Sequence, residues 1–201
     1  MAWYNPFSKA LDADELYEKL NPAQPYYDHK IDNSREPIYA YEKAYEELEI
    51  VNRSVNMIVD DSAEINVIVG EPTKGTSVVK GIKRSRVDIL LNVEPNPFQD
   101  ISTFRRNLIT DMIIDGNIFI YFDGAHLYHL PASKMTIHSS DTTYIDHYSF
   151  NERVNYSTSE IIHIKENSFY SIYRGVPRLS PALRTIQLLM SMRKFQDNFF
   201  K

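Results

Sequence analysis

The chain has 201 residues, of which 43% are hydrophobic and 24% charged, with no cysteine and a formal net charge of -5. That length holds one sizeable core or two small ones, and without cysteine there are no disulfides, thiolate metal sites or cysteine nucleophiles. No apolar run approaches the roughly 18 residues that a membrane span needs, and the first residues lack the basic and apolar regions of a secretory signal, so a soluble protein with no membrane partner and a cytoplasmic start is expected.

Charge divides along the chain. Residues 1–64 carry 14 acids and 6 bases, and the remainder carries 13 acids and 16 bases. The first thirty-five residues are rich in Tyr, Pro, Asn and Asp, with one short helix expected from Asp12 to Leu20. Trp3, Tyr4, Phe7, Tyr26 and Tyr27 are too many aromatics for a solvated tail, so residues 1–36 are read as an arm that packs on its own core or on a neighbour. After Pro37, apolar residues recur at Ile38, Tyr41, Tyr45, Leu48, Val51, Val55 and Ile58. These steps of three and four predict one amphipathic helix ending near Asp60 and Asp61.

The alternation in "EINVIVG" predicts a strand over 65–69. Next comes a basic run, Lys74, Lys80, Lys83, Arg84 and Arg86, without an acid between Pro72 and Val87. Val87 to Leu91 reads as a short apolar turn before Pro95 and Pro97. Asp100 or Ser102 then caps a helix through Phe104, Leu108, Met112 and Ile113, and Gly116 ends it in a left-handed conformation. "NIFIYF" follows as a strand, with Ile118, Ile120 and Phe122 toward one side and Phe119 and Tyr121 toward the other. Asp123-Gly124 marks a hairpin, and further strands are expected over 134–138, 144–150 and 160–164. Ser180 and Pro181 open a last helix whose inner face holds Leu183, Ile186, Leu189, Met190 and Phe200. The expected fold is α+β, with amphipathic helices packed on a mainly antiparallel, meander-like sheet over residues 37–201.

Little in this chain commits to catalysis. "GEPTKGTS" approaches the phosphate-binding loop G-x-x-x-x-G-K-[ST], but Thr76 stands where the lysine belongs and no helix signal follows. It reads as a surface turn. His126 and His129 lie three apart on an expected strand and so point in opposite directions, and the other histidines form no ligand cluster in sequence. Adjacent Asp60 and Asp61 diverge on a helix, and there is no G-x-S-x-G elbow. No catalytic, cofactor or metal residues are assigned. Basic patches are most often solvated faces but can meet phosphate or acidic protein surfaces, which makes Lys80, Lys83, Arg84 and Arg86 candidate contacts with a subunit or with DNA. The basic residues of the last thirty, including Arg174 and Arg178, form a second such patch.

From Leu91 onward the chain resembles the portal proteins of tailed bacteriophages of the HK97-like kind. The resemblance rests on "NVEPNPFQDISTFRRNLITDMIIDGNIFIYF", "LYHLPASKMTI", "EIIHIK" and "YRGVPRLSPALRTIQLLMSMRKFQDNFF", in that order. It implies a non-enzymatic, cofactor-free wing region in a ring of twelve subunits at one capsid vertex, in a virion assembled in the host cytoplasm. The implied partners are the major capsid protein, a head-tail adaptor, a terminase during packaging, and double-stranded DNA in transit during packaging and ejection. Members of that family continue through stem, clip and crown parts, so this chain is expected to be the N-terminal portion of a longer or processed one, its last helix cut rather than finished. Two alternatives are an adaptor or connector without its own channel, and a phage-type hydrolase or nuclease built from scattered Asp and His.

Overall fold

A computed structural model describes residues 35–72, 79–81, 85–140, 143–169 and 171–200, so the arm and its expected short helix lie outside the described residues. The elements in chain order are α1 (Arg35–Glu47), α2 (Glu49–Ala63), β1 (Gly70–Pro72), β2 (Val79–Gly81), α3 (Arg86–Asn92), α4 (Ile101–Ile114), β3 (Asn117–Phe122), β4 (Leu127–Leu130), β5 (Met135–His138), β6 (His147–Phe150), β7 (Val154–Ser157), β8 (Ile161–Lys165) and α5 (Leu183–Phe199).

The helix expected after Pro37 is broken in two. Leu48 takes an extended conformation between α1 and α2, with neither proline nor glycine at the break. The bend is secured by side chains that take up groups left over at the helix end. Asn52 donates to the Tyr45 carbonyl, and the Tyr45 hydroxyl donates to Asn56 at 2.9 Å. Arg193 of α5 donates to the carbonyl of Glu47. Beyond the bend the buried positions are Val51, Val55, Val59 and Ala63, a step of four. Ile58, expected on that face, is exposed, because from Val51 onward the buried positions recur every four residues and Val59 takes the inner place.

Residues 65–69 form no strand. The segment is held instead by the Asn92 side chain, which donates to the Val67 carbonyl at 2.8 Å and accepts from the Val67 amide at 3.0 Å, as a neighbouring strand would. The residues read as an apolar turn after Arg86 form a helix, α3, capped by Ser85, whose hydroxyl accepts from the Asp88 amide. Of the two expected caps, Asp100 rather than Ser102 caps α4, by accepting from the Thr103 amide at 2.8 Å. Gly116 has φ +80°, the left-handed conformation expected of the stop.

The sheets are antiparallel throughout, in the orders β1-β2, β4-β3-β8 and β5-β6-β7. The last is a meander, whereas β8 returns to the free edge of β3 after the intervening strands. β7 has no counterpart among the expected strands; its side chains are largely exposed, so it lacks the alternating apolar signal.

Three apolar clusters follow from this arrangement. Residues of α1, α2, the end of α4 and Ile186 of α5 make the first. Phe104 of α4, Ile118 and Ile120 of β3 and Leu127 of β4 make a second. Phe119 joins Met135, Ile137, Tyr148 and Ile161 in the third. β3 thus separates two cores, with the division of its side chains that period-two alternation predicts. The last helix departs from expectation at both ends. Ser180–Ala182 with Pro181 form a separate 3-10 turn, α5 starts at Leu183 without a side-chain cap, and Phe200 is exposed.

Candidate subunit-contact site and its buried frame

The β3 start is the polar centre of the molecule. Asp115 and Arg174, 59 residues apart, are both buried, and one guanidinium nitrogen contacts the two carboxylate oxygens at 2.9 Å each. Arg174 also donates to the Met135 carbonyl at 2.9 Å and the Ala132 carbonyl at 3.2 Å, so a single side chain ties the end of α4 to the β5 sheet. Its Nε is buried without a partner among the described residues, and its guanidinium lies 5.8 Å from the Phe119 ring centroid. Burial pushes the Asp115 carboxyl up, against the opposing pull of the Arg174 charge and the Asn117 amide.

Asn117 completes the centre. Its Nδ2 donates to Asp115, and its Oδ1 accepts from the Gly175 amide at 2.8 Å and lies 3.1 Å from His163 Nε2. His163 stacks on Phe119, and burial together with the Arg174 and Lys165 charges pulls its pKa down to about 4. The backbones here are in close contact. A Cβ on Gly116 would stand 2.6 Å from the Val176 carbonyl carbon, and one on Gly175 would stand 2.2 Å from the Gly116 carbonyl oxygen. Arg174, expected in an exposed basic patch, is instead a buried strut. Sequence reasoning missed this pairing, and its local signal is an Asp and an Arg each preceding a glycine amid apolar neighbours.

The candidate contact residues fare differently. Lys80 lies on β2 opposite Glu71 in the β1–β2 pair, while Lys83 and Arg84 lie outside the described residues. Arg86 is exposed at the start of α3 and donates to the Gly124 carbonyl at 2.8 Å, which fastens α3 to the β3–β4 hairpin. β1 is followed by an antiparallel strand, where a phosphate loop needs a helix. His126 lies against Asp123, whereas His129 meets Asp111 at 2.7 Å, so the two histidines serve separate contacts. Asp60 pairs with Arg106. Among the described residues no group of three or more His, Asp or Glu is placed to hold a metal ion, and no helix is long and apolar enough to cross a membrane. Arg105 donates to the carbonyls of Ala63 and Leu91, closing the C-terminal ends of α2 and α3 with one cation.

This is the architecture of an α+β scaffold domain: its buried polar groups are spent on joining helices to sheets. The sequence profile of the family described as Phage portal protein matches residues 49–201. The chain belongs to the phage portal protein family. It is 37% identical over 196 residues to the portal protein of Escherichia phage T5, an alignment covering 92% of this chain and 47% of that protein. Among solved structures it is similar in fold to a chain in the neck of an empty gene transfer agent particle computed with C6 symmetry (TM-score 0.69) and to one in the neck of the native particle computed with C12 symmetry (TM-score 0.68). Each is 14% identical and the match covers 87% of this chain and 48% or 47% of the other. The chain therefore spans about half the length of the relatives that it matches.

Proposed function

We propose that this chain supplies the wing portion of a portal, the head-tail connector through which double-stranded DNA enters a capsid during packaging and leaves it during ejection. The observation that carries this reading is the 37% identity to a portal protein across 92% of the chain. The protein works as a non-enzymatic homo-oligomer, a ring of twelve at one capsid vertex of the virion, assembled in the host cytoplasm. The symmetry of the gene transfer agent neck, given as C12, supports that number. Its partners are the major capsid protein, a head-tail adaptor and a terminase, and its contact with DNA is transient.

Within this reading the run Lys80, Lys83, Arg84 and Arg86 meets an acidic neighbouring subunit rather than DNA. Every phosphate neutralised by Lys or Arg strengthens binding, and DNA has to slide through a portal without sticking. Analytical ultracentrifugation of the purified protein at micromolar concentration tests the assembly. Particles of twelve times the subunit mass are expected, and a monomer at micromolar concentration would overturn the reading.

A further inference from the structure

Two strand edges of this chain lack a partner among the described residues, and the first is β8. Its ladder with β3 is bounded by bonds from the Phe122 amide to the Glu160 carbonyl and from the Glu166 amide to the Gly116 carbonyl. In the register of β3 and β8 the even-numbered residues of β8 therefore face β3, and the amides and carbonyls of Ile161, His163 and Lys165 point away from it. The other outer strands of the two three-stranded sheets are met on their free sides. Leu127 of β4 bonds Pro95 and Asn96, Met135 of β5 accepts from Arg174, and Ser157 of β7 exchanges bonds with Glu160. No described residue does this for β8.

The second edge is the segment 65–69. Its sequence has the pattern of a strand, yet only the Asn92 side chain pairs with it, at both backbone groups of Val67. In an extended chain the groups of Asn66 and Ile68 then point the other way, and that side is open. The two edges lie on opposite sides of the β4-β3-β8 sheet. α3, which carries Asn92, is fastened on the hairpin side, by Arg86 to Gly124 and by the Pro95 carbonyl just beyond it to Leu127, whereas β8 is the far edge. Open edges are templates for another chain, and two different ones on opposite sides suit a head-to-tail contact that repeats around a closed ring.

We propose that residues 65–69 of one copy pair antiparallel with β8 of the next copy, adding a fourth strand to its β4-β3-β8 sheet. One register satisfies backbone, apolar surface and charge together. With Asn66 opposite His163 and Ile68 opposite Ile161, the outward groups of both strands bond each other. Ile65 then stands opposite Ile164, and Val67 opposite Ile162, so that side chains now 45% to 67% exposed cover one another. Ile162 and Ile164 are themselves opposite Ile120 and Ile118, so the added strand extends the apolar row of the second core. Glu64 falls opposite Lys165, both exposed. The Lys165 ammonium donates to the Ile172 carbonyl of its own chain and has further donors to offer. A shift of two residues either way loses this ion pair. The pairing rests on the ring reading above and assigns the edges that close the ring.

Facing residues that exchange no backbone bonds are spaced for a disulfide, and the chain has no cysteine of its own. Val67→Cys and Ile162→Cys are introduced singly and together, and the assembled protein is oxidised. The double variant gives a ladder of covalent oligomers on a non-reducing denaturing gel, and neither single variant does. In parallel, Asn66→Pro removes one outward amide. It raises the concentration at which rings half-dissociate by about tenfold and leaves the melting of the subunit unchanged. Normal rings that give no ladder and ignore Asn66→Pro overturn the strand pairing and leave the ring intact. A disulfide closed within one chain, or dimers from a single variant, overturn it too. A wild-type protein that forms no ring overturns the ring reading and the pairing with it.

Discussion

Arg174 and Asp115 form a buried ion pair, both carboxylate oxygens 2.9 Å from one guanidinium nitrogen, at the point where α4 passes into β3. The pair joins residues 59 positions apart in the chain, and Arg174 carries the link on to the β5 sheet through two further backbone carbonyls. Loss of one partner leaves a buried charge without its counter-charge.

Arg174→Met is therefore expected to destabilise the fold by about 3–5 kcal/mol, while Arg174→Met combined with Asp115→Leu costs less than the sum of the two single changes. Urea unfolding followed by circular dichroism checks both. A single-variant cost below about 1 kcal/mol would show that the pair is not the link between helices and sheets.

Three glycines separate close packing from simple turn geometry. Gly116→Ala forces both a left-handed conformation on a side-chain residue and a clash with the backbone of Val176, and Gly175→Ala meets the Gly116 carbonyl oxygen. Neither backbone can move without opening the Asn117 centre, so both variants are expected to lose cooperative unfolding. Gly124 also has φ +90°, but a Cβ there meets nothing within 4 Å, and Gly124→Ala should cost only about 1 kcal/mol. Thermal melts of the three rank them.

Acid should destabilise the domain through His163. The unfolded chain takes up a proton on this imidazole near its ordinary 6.5, whereas the folded chain takes it up only near 4. Between those values the unfolded state binds more protons, so stability is full above pH 6.5 and falls progressively toward pH 4, by up to about 3 kcal/mol. His163→Asn should flatten that slope. An unchanged pH dependence would place the acid sensitivity elsewhere.

Much of the region around β3 was legible in the sequence. Gly116 and Asn117 announce a helix stop and a strand start, Asp100 and Ser102 narrow the cap of α4 to two positions, and alternation alone sorts Phe119 from Ile118 and Ile120. The reasons are local, which is why they could be read. The bend at Leu48 was not legible, because it is held by Asn52, Asn56 and Arg193 rather than by a helix breaker. Residues 65–69 alternate like a strand but find only the Asn92 side chain in place of a neighbour. Arg174 looks like any surface arginine until the fold brings Asp115 to it across 59 residues.

The basic run carries its own prediction. Reversing the charge of Lys83, Arg84 and Arg86 together is expected to impair ring assembly, as sedimentation of the purified variant would reveal. Normal rings that package DNA poorly would contradict the subunit-contact assignment and move these residues to a DNA-facing role. Arg86→Ala alone should loosen the contact of α3 with the β3–β4 hairpin at Gly124 and leave assembly nearly intact.

Electron microscopy of the purified protein tests the central claim most directly. The portal reading predicts rings with an open central channel and the domain described above in the outer wing, with twelve-fold symmetry in class averages. Compact particles without a channel, or isolated subunits under the same conditions, would contradict it.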